Sequence, residues 1–242
     1  MSNSWFQFKQ FTINQDKTSM KVGTDGVLLG AWADFGGARL KENYRVLDVG
    51  TGTGLIAIMA AQRYTVDVTG VELDEEASKQ ASDNFRNTAW ADRLRIVHGD
   101  FRQRNLLSSL MFDHIVCNPP FFKDSLRASG SGRNLARHDE TLSLHDLISQ
   151  GSDLLQPNGL FSLILPIDRF EEAHKLMFEK SFFLNRKTTL RSHVESKPIR
   201  VLAEWSPEKL SRIEGQLCIY EGISKDYTQE YISLVKEFYL NL

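Results

Sequence analysis

The chain has 242 residues, 41% of them hydrophobic and 25% charged, which suits one large α/β domain with a well-buried core. Lys and Arg number 29 against 31 Asp and Glu, a net charge of -2, so any nucleic-acid contact must come from a local patch rather than a global field. No apolar run reaches the ~18 residues of a membrane span, and the opening MSNSWFQFKQ lacks the basic-then-apolar pattern of a secretory signal. Cys117 and Cys218 are too few for a disulfide framework and show no metal-ligand spacing. The expectations are a cytoplasmic protein with no membrane and no metal, and a monomer is favoured.

In chain order, Trp5, Phe6 and Phe8 come first, and they either pack on the core or offer a base a stacking surface. The run VLDVG (46–50) predicts a first strand, leading through a glycine-rich turn into a helix over LIAIMAAQR (55–63). VDVTGVEL (66–73) predicts a second strand, followed by a helix whose first turn is acidic, as a helix N-terminus prefers. LRIVHGD (94–100) and FDHIVCNPP (112–120) predict a third and fourth strand. A helix over about 143–155, a turn at Gln156-Pro157-Asn158-Gly159 and a fifth strand at 160–166 follow. Strands alternating with helices predict a mostly parallel, doubly wound sheet. RKTTLRSH, RVLAEWSP and GQLCIYE read as strands without intervening helices, which predicts antiparallel edge strands, and YTQEYISLVKEFYLNL reads as a closing amphipathic helix. No internal repeat appears, and no linker divides the chain, so residues 1–242 are read as one domain.

The stretch VLDVGTGTGLIAI carries the strongest signal. Gly50, Gly52 and Gly54 alternate between a buried strand and a helix, where glycine lets the backbone turn tightly and approach a ligand. This is the first βα turn, the place where doubly wound sheets bind nucleotides. Nicotinamide sites prefer G-x-G-x-x-G facing a pyrophosphate. G-x-G-x-G behind the strand-borne acid Asp48 instead resembles the class I methyltransferases, with their Rossmann-like fold. Their cofactor, S-adenosyl-L-methionine, carries an ammonium and a sulfonium and no phosphate, so Asp48 suits it, directly or through water. Glu72 closes the second strand, placed to accept from both ribose hydroxyls. Asp100, ending the third strand, would accept from the adenine amino group with Phe101 against the ring. A glycine turn alone is often only a turn. Acids at the ends of three successive strands make it a cofactor pocket.

The second signal is Asn118-Pro119-Pro120-Phe121, directly after the fourth strand. Two prolines stiffen the backbone and remove two N–H donors, leaving as acceptors the Asn118 side-chain oxygen and the Pro119 carbonyl. A conjugated amino group is a poor nucleophile because its lone pair is delocalised. Two acceptors on its N–H groups would pull the nitrogen toward tetrahedral geometry and aim the lone pair at a methyl donor. Phe121 would stack on a base, a contact worth about 1–3 kcal/mol. Asn118 is counted with the cofactor residues as well.

The tetrapeptide is similar to the (D/N)PP(Y/F) motif of amino-group methyltransferases, which act on adenine N6, guanine N2 or protein glutamine. Phe8-Lys9-Gln10-Phe11, the run Met20-Lys21-Val22-Gly23-Thr24-Asp25-Gly26-Val27-Leu28-Leu29-Gly30-Ala31-Trp32, and EFYL near the C-terminus resemble the bacterial tRNA1(Val) (adenine-37 N6)-methyltransferase family across nearly the whole chain. That resemblance implies a tRNA substrate. It also implies that Lys21, Gly23 and Thr24 lie over the methionine end of the cofactor, so residues 1–40 are expected to form a covering segment on a core of residues 41–242. Phe121 stands where Tyr is commoner, which keeps the ring and loses a hydroxyl.

The alternatives are a release-factor-type glutamine methyltransferase, a guanine-N2 rRNA methyltransferase, a nicotinamide oxidoreductase and a catalytically silent RNA-binding module. The first usually carries a helical recognition domain ahead of the cofactor fold, and here only a short segment precedes Gly50. Residues 123–138 form a Gly/Ser-rich loop with Lys123, Arg127, Arg133 and Arg137, read as either a lid that meets tRNA phosphates or a solvated loop. Lys187, Arg191, Lys197 and Arg200 make a weaker case, since strand edges often carry such charges. His98 is read as structural, His138 and His145 as lacking metal-ligand spacing, and Cys117 as a small core residue.

Overall fold

The computed structural model describes residues 3–36, 42–107, 109–120, 142–222 and 226–242. A short antiparallel hairpin, β1 (Trp5–Gln7) and β2 (Thr12–Asn14), leads into helix α1 (Thr24–Trp32). Alternating elements follow: β3 (Arg45–Val49), α2 (Leu55–Arg63), β4 (Asp67–Glu72), α3 (Glu75–Arg86), β5 (Leu94–His98) and β6 (Phe112–Cys117). Then come α4 (Leu144–Leu154), β7 (Leu155–Pro166), α5 (Phe170–Glu179), β8 (Phe183–His193), β9 (Arg200–Ser206), β10 (Ile213–Tyr220) and α6 (Gln229–Val235).

Eight strands form one sheet in the order β10-β8-β9-β7-β6-β3-β4-β5. β9 is antiparallel to both β7 and β8, and the other pairings are parallel. This is the expected doubly wound α/β sheet with its antiparallel pairings in the later strands. Side-chain alternation splits the core in two. Val46, Val116, Ile164 and Leu202 pack on one face with α1 and α2, while Leu47, Val49, Ile115 and Leu163 pack on the other with α4 and α5. Local signals explain the helix starts: Asp74 caps α3 by accepting from Ala77 N–H at 2.8 Å, and Ser143 caps α4 by accepting from Asp146 N–H at 3.0 Å.

Three features differ from the sequence expectation. The helix α1 is buried from Gly26 to Trp32, because GVLLGAW is apolar all round and has no polar face to turn outward. Gly30 lets it approach α2 closely: a Cβ there would lie 2.8 Å from Met59 Sδ. A helix also forms at α5, whose Phe170, Ala173 and Met177 recur at helical spacing and are buried. At Gln156–Gly159 the expected turn is absorbed into β7, whose pairing jumps from Phe112↔Leu155 to His114↔Leu160. A Cβ at Gly159 would sit 2.6 Å from Leu155 Cγ, so the extra residues fold tightly against the strand.

The aromatic residues at the N-terminus differ in burial. Phe8 is fully buried and stacks on Phe11 at 4.6 Å and Tyr239 at 5.8 Å, whereas Trp5 is 53% exposed. Among the described residues no helix is long and apolar enough to cross a membrane.

Candidate active site

Parallel register brings the predicted residues to one edge. Val49 pairs with Val71 and with Cys117, and Glu72 pairs with His98. The next residues along, Gly50, Glu72 and Asn118, therefore stand in a row at the carboxyl ends of β3, β4 and β6, spaced by the ~4.8 Å between neighbouring strands. The chain leaves β3 toward β4 on one side and returns to β6 on the other, so this row is the topological switch point of the sheet, where α/β folds bind ligands.

The turn itself explains its glycines. Gly50, Gly52 and Gly54 have φ of 67°, 56° and 84°, all left-handed. A Cβ at Gly50 would meet nothing within 4 Å, so the front of the turn faces open space, whereas at Gly54 it would lie 2.4 Å from Phe85 Cε1. Gly50 N–H and Thr51 N–H both donate to the Val71 carbonyl, at 2.9 and 3.1 Å, which ties the turn to β4. Gly52 N–H donates to Glu72 Oε2 at 2.8 Å and Asp74 N–H to Glu72 Oε1 at 3.0 Å. Glu72 is thus fixed from both sides, while an ionised carboxylate keeps further acceptor positions.

Asp48 works inward. It is 1% exposed, on the α2 face of β3, and accepts from Thr51 Oγ1 at 2.6 Å and from the backbone N–H of Ala57. That second bond caps α2, which has no side-chain cap at Gly54. Burial pushes the Asp48 carboxyl up to about 7, with the nearby Glu72 charge adding to the rise and the two hydrogen bonds opposing it. Thr51 was not singled out in the sequence. Its signal was its place inside the glycine turn, three residues from the acid.

Asp100 lies past the end of β5, where Arg102 grips it through Nε (3.0 Å) and Nη2 (2.7 Å), and that pairing draws its carboxyl below the usual range. Phe101 is 4% exposed and packs with Val49 and Val71 in the core. Gly23 and Thr24 stand exposed at the start of α1, and the Lys21 ammonium donates to the Asn3 carbonyl at 3.3 Å. α1 also meets Asn118: a Cβ at Gly26 would lie 3.9 Å from Asn118 Nδ2 and 3.3 Å from Leu55 Cδ2. Arg200 Nε holds the same turn of α1 through Asp25 at 2.8 Å. Asn118 and Pro120 are half-buried and Pro119 is buried. Cys117 is 1% exposed, and burial first, then the charges of Asp48 and Glu72, raise its thiol well above the ordinary range.

Phe121, Lys123, Arg127, Arg133, Arg137 and His138 lie outside the described residues. Of the second basic set, Arg191 donates to the Ser196 carbonyl, Arg200 pairs with Asp25, and Lys187 sits 4.4 Å over the Phe170 ring. His98 Nε2 lies 3.1 Å from the Leu73 carbonyl oxygen. Among the described residues no group of three or more His, Cys, Asp or Glu could hold a metal ion.

Comparison with known proteins is consistent with this geometry. Residues 38–191 match the model of the methyltransferase small domain family. A Bacteroides fragilis protein named tRNA1(Val) (adenine(37)-N6)-methyltransferase is 41% identical, with 100% of both chains covered. A protein of the same name from Phocaeicola vulgatus is 40% identical, again over 100% of both chains. The crystal structure of a predicted O-methyltransferase from Agrobacterium tumefaciens superposes with a TM-score of 0.68 at 20% identity, covering 88% of this chain and 96% of that one, which shows the shared fold. The chain is a methyltransferase that belongs to the methyltransferase small domain family and, within it, to the group whose curated members are named tRNA1(Val) (adenine(37)-N6)-methyltransferases.

Proposed function

We propose that this protein transfers a methyl group from S-adenosyl-L-methionine to the exocyclic N6 of an adenine in tRNA, at position 37 beside the anticodon of a valine tRNA, and that it works in the cytoplasm. The observation that carries the reading is the row at the carboxyl edge: an open left-handed glycine turn, a fixed carboxylate at Glu72 and the Asn118-Pro119-Pro120 corner stand on adjacent strands. The names of full-length relatives support the acceptor.

The residues present fit the cofactor. The space in front of Gly50 is what a Cβ would otherwise fill, and Glu72 holds its carboxylate beside it. When bound, S-adenosyl-L-methionine supplies an electrophilic methyl carried on sulfur. Glu72 would accept from the ribose hydroxyls, and the exposed start of α1 at Gly23 and Thr24 would cover the methionine end. Asp48 acts mainly beneath the turn, holding Thr51 and the first turn of α2 in place. Asn118 Oδ1 and the Pro119 carbonyl would accept the two hydrogens of the target amine and hold its lone pair toward the reacting carbon. No strong base is needed, because the proton leaves after the nitrogen has become cationic. The rate gain comes mainly from positioning, a source worth up to about 7–11 kcal/mol.

The adenine must leave its stack to reach this corner, which costs a few kcal/mol or less in a loop. The test is labelled S-adenosyl-L-methionine offered with total tRNA, ribosomal RNA and release factor as competing acceptors. Label at an adenine next to the anticodon of a valine tRNA is the expected result. Label confined to a guanine of ribosomal RNA or to a glutamine of release factor would overturn it.

A further inference from the structure

Asn84, in the second half of α3, is fully buried. Its carboxamide treats β2 as a neighbouring strand would, with Oδ1 accepting from Asn14 N–H and Nδ2 donating to the Asn14 carbonyl, both at 2.9 Å. The other Nδ2 hydrogen goes to the Thr53 carbonyl at 2.9 Å, inside the glycine turn. The next residue, Phe85, presses its ring against Gly54. Four residues earlier, and so on the same face of the helix, Gln80 accepts from Lys17 N–H at 3.1 Å and donates to Asp16 at 2.6 Å. One face of α3 therefore grips the N-terminal segment and the glycine turn together. A buried amide left without its partners is costly, so neither can shift without disturbing the other.

We propose that Asn84 is a positioning residue that couples the two, so that cofactor binding and docking of the N-terminal segment strengthen one another. The proposal rests on the glycine turn being the cofactor site. Linkage makes the effect reciprocal. A cofactor that steadies the turn also steadies Asn14 through Thr53 and Asn84, and a docked segment tightens the cofactor in return.

The test is amide hydrogen exchange on the unmodified protein, with and without saturating S-adenosylhomocysteine, read at Asn14 and Lys17. Exchange at both slows by about tenfold or more if the coupling operates, within the usual range of such effects. Asn84→Asp keeps the acceptor for Asn14 N–H and removes both donors. It should raise the cofactor Kd about tenfold and abolish the protection at Asn14, while kcat at saturating cofactor changes less than about threefold. Unchanged Kd in a folded Asn84→Asp overturns the coupling. If that variant does not fold, the exchange experiment on the natural chain decides. Binding without protection sinks the coupling alone, whereas absence of any binding overturns the cofactor-site reading and the coupling with it.

Discussion

Two halves of the same sheet bury carboxylates in opposite ways. On the β3–β4 side, Asp48 is closed in with only a hydroxyl and a backbone N–H as donors, and its proton affinity rises. On the β7–β9–β8 side, Glu204 is 8% exposed, accepts from Ser162 Oγ at 3.0 Å and faces the Arg186 guanidinium at 3.6 Å. Ser162 in turn meets His114 Nε2 at 2.9 Å, and Arg186 stacks 3.6 Å over the Trp32 ring while donating to its carbonyl. That half has internal counter-charge, as a structural network requires. Among the described residues no positive charge faces Asp48 beside the glycine turn, and burial there favours its protonated form. The contrast teaches that a buried acid can be held either by fixed counter-charge or by neutral donors alone, and that with neutral donors alone burial raises its proton affinity.

The largest expected effect lies at the row itself. Asn118→Ala should lower methyl transfer by at least about a thousandfold, since positioning supplies most of the rate, with cofactor Kd within about threefold by calorimetry. Near-normal turnover would remove Asn118 from the chemistry.

Next comes the pH behaviour of Asp48. A carboxyl raised to about 7 binds its proton more tightly folded than unfolded, so its contribution to stability is full below pH ~4 and is lost as pH climbs through 7. The natural chain should lose roughly 4 kcal/mol more than Asp48→Asn between pH 4 and pH 8, measured by denaturant unfolding. Parallel curves for the two proteins would show that Asp48 is ordinarily ionised. Cofactor, if its cations approach Asp48, should bind more tightly as pH rises through 7.

The glycines sharpen the comparison within the turn. Gly54→Ala meets both a left-handed φ and the Phe85 ring, and should cost about 3 kcal/mol of stability. Gly50→Ala meets open space and should cost about 1 kcal/mol while weakening cofactor binding more than Gly54→Ala does per unit of stability lost. The opposite ranking would mean that the open side of the turn is not the ligand side. The smallest effect on activity is expected across the sheet, where Glu204→Gln should cost about 2 kcal/mol of stability, discounted because Arg186 is partly exposed, yet leave kcat within about twofold. A large fall in kcat would join the two halves functionally.

Much of this was legible before the fold was seen, for identifiable reasons. The glycines at 50, 52 and 54 were readable because a positive φ suits few other residues, and all three adopt one. The diproline corner was readable because proline restricts the backbone whatever surrounds it. Partnership was not. The sequence reading offered Asp48 to a ligand's cations, directly or through water, and could not show that side-chain alternation in β3 puts it on the Val46 face, where it bonds Thr51. Asp100 was read as an acceptor for the adenine amino group, and its pairing with Arg102, two residues on, is a loop geometry that spacing does not reveal. Asn84 carried no motif at all, since its work is done toward a segment 70 residues away. α1 was missed because a helix buried all round has no period to detect.

The hairpin at the start of the chain has a consequence for how the molecule is made. Phe8 bridges to Tyr239, and Lys9 bonds through its backbone N–H to the Phe238 carbonyl and through its ammonium to that of Lys236. A ribosome adding about 5–20 residues per second needs on the order of 10–50 s between those two ends. For that interval Phe8 has Phe6 and Phe11 to pack against but lacks the Tyr239 ring that completes its seat. A chain cut short before Lys236 would thus keep the hairpin's hold on α3 but lose its ties at Phe8 and Lys9.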